Sequence, residues 1–178
     1  MKRFVLLDRD GTINVERNYL SDPDQLDLVP NAAEGLAELR RMGLGLVVLT
    51  NQSGVGRGLF DEARLEQIHD RLRRLLRDRN VELDAIVCCT HRPDEGCHCR
   101  KPLPGLVETA AREHGFSPAE SFMIGDKPCD VNLGNAVGAT TLLVRTGYGA
   151  RHATDAAVQP NYVVDDLLHA SRIIAELL

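Results

Sequence analysis

The stretch Val5-Leu6-Leu7-Asp8-Arg9-Asp10-Gly11-Thr12 runs an apolar strand straight into two carboxylates and a turn. Side chains alternate along a strand, so Asp8 and Asp10 are expected to point the same way if strand geometry holds that far. Two carboxylates on one side of a strand's carboxyl edge can bind a hard cation, and they can divide nucleophilic and acid–base work between them. The competing reading is an Asp-rich turn after a core strand, because Asp and Gly are common turn residues.

Working outward, strand-like and helix-like segments alternate. Phe4–Leu7 reads as the first strand. Asn31 is placed to cap a helix through Met42, with Glu34 as its capping-box partner and Gly43 as the stop. Leu44–Thr50 is an apolar run of strand length. Asp61 can cap a helix whose Leu65, Ile68, Leu72, Leu75 and Leu76 share one face, with its arginines on the solvated side. Asp84–Cys89, Ser121–Gly125, Thr141–Val144 and Tyr162–Val164 read as further strands. Helices are expected over Leu106–His114, near Asp130–Val137 and at the C-terminus. Such βα alternation predicts an α/β, Rossmann-like, mostly parallel sheet with helices on both faces. Ligands bind such sheets beyond the carboxyl ends of the strands. Asp8, Asp10, Thr50, Asn51, Asp126 and Asp130 all fall there.

Length and composition set the outer limits. The 178 residues suit one domain, 1–178, with no repeat, low-complexity tract or linker. A net charge of −5 disfavours a general nucleic-acid binder. The start MKRFVLLDRDGT is too short in apolar residues for a signal peptide, and no run reaches the length of a membrane span. A cytoplasmic monomer without nucleic-acid or membrane partners is the expectation.

Further along, Thr50-Asn51-Gln52-Ser53-Gly54 presents hydroxyls, amides and backbone N–H groups to an anion. Arg100 and Lys101 add two cations before a helix, and Lys101 can neutralise charge developing on a phosphoryl group. Asp126, at a strand end, can join Asp8 around Mg²⁺, which takes one or two carboxylates and completes its octahedron with water and phosphate. Asp130 either ligates through water or caps the following helix. Cys129 reads as a packing residue, with no base beside it.

Four of the five cysteines lie between Cys88 and Cys99. Cys89-x-His91 and Cys97-x-Cys99 offer three thiolates and an imidazole, a tetrahedral set for a structural Zn²⁺ in a loop at about 89–99. Cys88 points the other way along its strand and His98 is flanked out of the set. The ion would pin the loop carrying Arg100 and Lys101.

The DRDGT run, a strand-end Thr, a Lys and GD-x-x-x-D, in that order from Asp8 to Asp130, resemble the four motifs of the haloacid dehalogenase superfamily of phosphatases. The resemblance implies that Asp8 is a nucleophile forming an aspartyl-phosphate and Asp10 a general acid and base. It also implies that Thr50 and Lys101 hold the phosphoryl oxygens, while Asp8, Asp126 and the Asp10 carbonyl hold Mg²⁺. Neither 12–30 nor 89–101 is long enough for a cap domain, so an open, capless site is expected. DRDGTIN, TNQSG and a zinc loop ending in C-x-C-R-K-P resemble the heptose-bisphosphate 7-phosphatase family, with histidinol-phosphate phosphatases as relatives. That implies a phosphorylated sugar substrate lined by Gly11, Asn51, Gln52, Ser53 and Arg100, with Asn18, Tyr19 and Asp22 at the mouth. An acidic residue at the mouth, Glu16 or Asp22, would instead suit the amine and imidazole of histidinol phosphate. A non-catalytic zinc-stabilised binding module is the remaining alternative; the acidic balance opposes it.

Overall fold

The computed structural model describes residues 2–178. Six parallel strands form one sheet in the order β3-β2-β1-β4-β5-β6. They are β1 (Phe4–Leu7), β2 (Gly45–Asn51), β3 (Ala85–Cys89), β4 (Phe122–Gly125), β5 (Thr140–Val144) and β6 (Tyr162–Val164). The longer helices are α1 (Ala32–Arg41), α3 (Glu62–Arg77), α4 (Gly105–His114), α5 (Pro128–Ala136) and α7 (Leu167–Leu177). Two single-turn helices, α2 (Ser53–Gly56) and α6 (Gly149–His152), have no counterpart in the sequence reading because one turn carries no periodicity.

Both faces of the sheet are buried, which explains the uninterrupted apolar strands. Val5, Leu7, Leu46, Val48 and Ile124 pack against Leu36 and Leu39 of α1, Ile68 and Leu72 of α3 and Ile174 of α7. Phe4, Leu6, Val47, Leu49 and Met123 face the other way, onto Leu106, Val107 and Ala110 of α4 and Leu133 of α5. Asp61 caps α3 by accepting from Arg64 N at 2.8 Å. Gly115 ends α4 and Gly43 follows α1, both with positive φ.

One cap differs. Asn31 takes a left-handed conformation (φ 63°) and makes no side-chain cap on α1. Its Nδ2 instead donates to Asp166 Oδ2 at 2.6 Å, tying α1 to the N-terminus of α7. Glu34 therefore has no capping-box partner.

From β1 the chain winds outward to β2 and β3, then returns to lay β4 on the other side of β1. The carboxyl ends of β1 and β4 thus flank the point where the winding reverses, where open α/β sheets bind ligands. Asp8 follows β1 and Asp126 follows β4; Asp8 N donates to Ile124 O at 2.9 Å, holding the two exits side by side.

Candidate active site

A cavity of about 260 Å³ opens at this reversal point. Asp8, Asp10, Thr50, Gln52 and Lys101 line it together with Glu16, Asn18, Tyr19, Arg100 and Lys127. Asn51, Ser53, Cys129 and Tyr148 complete most of the wall.

Lys101 comes in from the zinc loop on the far side of β2. Its Nζ lies 2.7 Å from Asp8 Oδ1, 2.7 Å from Asp130 Oδ1 and 2.6 Å from Leu49 O. The side chain is almost wholly enclosed. Burial alone would favour the neutral amine, but the charges of Asp130 and Asp8 outweigh it and push the ammonium well above the usual lysine range. Asn51 clasps the lysine's backbone: Oδ1 accepts from Lys101 N at 3.0 Å and Nδ2 donates to Lys101 O at 3.2 Å. Asn51 thus acts on the position of Lys101 as well as lining the cavity.

Asp10 opens into the same cavity as Asp8, although β1 has ended at Leu7 and strict alternation no longer applies. Its Oδ1 accepts from Asn14 Nδ2 at 2.9 Å, and its Oδ2 accepts from Gln52 Nε2 at 2.8 Å. The same Gln52 amide reaches Thr50 Oγ1 at 2.8 Å. Burial opposes ionisation of Asp10, but the Arg9 guanidinium and these hydrogen bonds hold its carboxyl below the ordinary range.

Asp126 has no exposed surface. Its Oδ2 accepts from Tyr148 N at 2.8 Å, whereas the buried Oδ1 finds no hydrogen-bond donor among the described residues. Burial and the neighbouring Asp8 charge push this carboxyl up to about 8. Both facts describe a site short of positive charge, and ligand oxygens of Asp8, Asp126 and Asp130 lie within 4.8 Å of one another. Lys127 answers part of the deficit: its Nζ stands 3.3 Å from Asp10 O, 3.9 Å from Asp8 Oδ2 and 3.7 Å from Asp126 Oδ1. Those are the oxygens expected to hold Mg²⁺, so the residues present fit such an ion. Lys127 also pairs with Glu16 at 3.0 Å. Sequence reasoning passed over Lys127; a lysine between the strand-end Asp126 and Asp130 was the available signal.

Asp130, left between two roles, is seen here in two contacts at once. Oδ2 accepts from Lys127 N at 3.1 Å, capping α5, while Oδ1 pairs with Lys101. Cys129 lines the cavity rather than packing in a core cluster, and burial pushes its thiol up to about 12.

Two expectations move. Asp22 is exposed and lies outside the cavity wall, because its side chain accepts from Asp24 N at 3.0 Å and caps the turn Pro23–Gln25. Gly11 is also absent from the wall. With φ +88°, it lets the backbone pass so close to the Asp126 carboxylate that a Cβ would overlap it.

The second cluster is as expected. His91 Nδ1 lies 3.5 Å from Cys89 Sγ and 3.2 Å from Cys99 Sγ, and Cys97 Sγ is 3.6 Å from Cys89 Sγ. Three sulfurs and one nitrogen at these spacings fit one tetrahedral Zn²⁺ with no open position. His98 turns away to Glu108 Oε2 at 2.8 Å. Cys88 is half-buried on the opposite face of β3. Arg100 and Lys101 follow the last cysteine directly.

A family model described as HAD-hyrolase-like matches residues 98–170. The chain is 39% identical to D-glycero-beta-D-manno-heptose-1,7-bisphosphate 7-phosphatase of Photorhabdus laumondii over 96% of this chain and 94% of that one. It is 40% identical to the Escherichia coli K12 protein of the same name over 80% and 79%. The crystal structure of D,D-heptose 1,7-bisphosphate phosphatase from B. bronchiseptica, complexed with magnesium and phosphate, superposes with a TM-score of 0.92 at 34% identity and covers 99% of each chain. With relatives this similar along nearly its whole length, the chain belongs to the D-glycero-β-D-manno-heptose-1,7-bisphosphate 7-phosphatase family of HAD-like hydrolases.

Proposed function

We propose that this chain is a Mg²⁺-dependent phosphatase that removes the 7-phosphate of D-glycero-β-D-manno-heptose 1,7-bisphosphate through an aspartyl-phosphate on Asp8. One observation carries the mechanism: the enclosed Lys101 ammonium sits 2.7 Å from Asp8 Oδ1 at the sheet's reversal point. A carboxylate so placed has a cation beside it to receive a phosphoryl group. The substrate follows from the relatives, named as D-glycero-beta-D-manno-heptose-1,7-bisphosphate 7-phosphatases, which specifies the β-anomer.

The reaction divides into two displacements. An Asp8 carboxylate oxygen attacks the 7-phosphorus, a new O–P bond forms and the bond to the sugar O7 breaks. Asp10 is ionised in the free site; the negative phosphate arriving beside it favours uptake of a proton from solvent, and that proton passes to O7. Water then attacks the aspartyl-phosphate and yields its proton to Asp10. Inorganic phosphate leaves and the Asp8 carboxylate returns. Thr50 and Lys101 hold the phosphoryl oxygens in both steps, so one set of charges serves two similar transition states. Asp8, Asp126 and the Asp10 carbonyl would hold Mg²⁺, which supplies further charge neutralisation at the phosphoryl group. Arg100 faces the sugar or its second phosphate, with Asn18 and Tyr19 at the mouth. Zn²⁺ held by Cys89, His91, Cys97 and Cys99 would pin the loop bearing Arg100 and Lys101.

The histidinol-phosphate reading loses its support. Glu16, the acidic residue at the mouth, is already engaged by Lys127, and Asp22 lies off the cavity. We further assign the activity to a single capless domain over 1–178, acting as a monomer. Phosphate release with Mg²⁺ from both anomers of the bisphosphate and from histidinol phosphate tests the assignment. The β-anomer should be turned over fastest; preference for histidinol phosphate would reassign the substrate.

A further inference from the structure

Arg9 lies between the two carboxylates of the motif, just past the end of β1, and its charge acts on the buried His69 of α3. Its side chain has no exposed surface. One nitrogen, Nη2, reaches both oxygens of Asp10, at 3.0 Å to Oδ1 and 2.8 Å to Oδ2. The other two, Nε and Nη1, find no hydrogen-bond partner among the described residues.

Stability does not account for this arrangement. A buried guanidinium with one charged partner and unpaired N–H groups keeps much of its desolvation cost, and an apolar side chain in that enclosed place would leave no N–H unpaired. The turn does not need the side chain either. The Arg9 carbonyl accepts from Thr12 N, Ile13 N and Asn14 N, bonds that survive any substitution at this position.

We infer that Arg9 is a positioning residue for the phosphatase reaction, fixing the Asp10 carboxyl from its buried side together with Asn14, while Gln52 holds it from the cavity wall. Together the three give both oxygens of the Asp10 carboxyl a donor, so the carboxyl meets the sugar oxygen and the water in one orientation. The imidazole of His69, buried on α3, is the next titratable group behind Arg9. Burial and then the Arg9 charge keep it neutral, down to about 4, so it does not compete for the guanidinium. Glu66 faces His69 from 3.7 Å and is itself paired with Arg73. The inference rests on Asp10 acting as proton donor and acceptor, as assigned above.

A double-mutant cycle on the Mg²⁺-loaded protein tests it, using Arg9→Met, Asp10→Asn and the pair. Arg9→Met should lower kcat by about 30-fold with KM within about twofold, a fraction of what a general acid–base contributes. In the Asp10→Asn background the same change should cost less than about threefold, because the group it positions is gone. A loss that persists in full there, or a single-variant loss under about threefold, would overturn the assignment. If Asp10→Asn itself keeps near wild-type turnover, the assignment of Asp10 fails instead. Should Arg9→Met not fold by circular dichroism, Arg9→Lys, which leaves the Asp10 charge paired, carries the same cycle and the same criteria.

Discussion

Asp130 holds Lys101 at 2.7 Å with one carboxylate oxygen and closes the first turn of α5 with the other. The helix that follows β4 and the loop that precedes α4 are thereby locked to each other inside the protein. Neither residue shows more than a trace of side-chain surface, so the pair is shielded little by solvent.

Replacing Asp130 with Asn keeps the cap geometry and removes the charge. Asp8 would then be the only carboxylate partner of Lys101, beside the Leu49 carbonyl. Breaking one partner of a buried pair should cost about 2–3 kcal/mol, the lower end for such pairs because Asp8 remains. A kcat loss of at least about tenfold should accompany it, as the ammonium is drawn onto the nucleophile. Urea unfolding and steady-state kinetics measure the two; unchanged stability would mean the contact is not formed in solution.

A single residue, Arg100, separates the last cysteine of the cluster, Cys99, from Lys101. Cys99→Ser, or removal of metal with a chelator, should lower stability by several kcal/mol, since a structural zinc contributes to folding directly. Hydrogen exchange should rise first over 92–103, and KM and kcat should both suffer as Lys101 and Arg100 lose their anchor. Metal analysis of pure active protein should find about one zinc per chain; a clearly lower content in a fully active sample would remove the zinc from the account.

Much of the site was legible because its residues sit at ends of strands that the apolar pattern marks clearly. Asp8, Thr50 and Asp126 needed only strand order to be brought together, whereas Lys101 comes in from the loop before α4. The rest depends on where side chains go once strand geometry stops. Lys127 and Arg9 were passed over because each sits between more conspicuous carboxylates, and only the folded chain shows one crossing to Asp10 O and the other turning under Asp10. His69 had a signal: it falls on the Leu65–Leu72–Leu76 stripe of α3, the face that is buried. Asn31 and Asp22 both carry cap-forming side chains, and short-range rules cannot tell that Asn31 bonds a residue 135 positions away.

His69 gives the protein an acid-sensitive stability. Its imidazole is held neutral by burial and by Arg9, with a folded pKa of about 4 against an ordinary value of 6.5. Between those values the unfolded chain binds the extra proton and the folded chain does not. Stability is therefore present above about pH 6.5 and lost as pH falls towards 4, by up to about 1.4 kcal/mol per unit. His69→Leu removes this titration and extends the apolar stripe, so the wild-type-minus-variant stability should fall steadily from pH 6.5 to 4.5 in urea titrations. A difference that stays flat would show that His69 accepts a proton as readily folded as unfolded.

Gly11 carries a demand that no other residue meets. Its φ of +88° is unfavourable for a side chain by about 1–2 kcal/mol. A methyl group there would also run into the Asp126 carboxylate at Oδ2, the oxygen that Tyr148 N already holds in place. Gly11→Ala should therefore destabilise the protein by about 2–4 kcal/mol, strain and overlap combined. It should also weaken Mg²⁺ binding, read by calorimetry, by at least about tenfold, because a displaced Asp126 misplaces a cation ligand. The alternative outcome is equally clear. Unchanged Mg²⁺ affinity in a folded Gly11→Ala protein would mean that the turn shifts as a unit and that Asp126 does not depend on close passage of the backbone at Gly11.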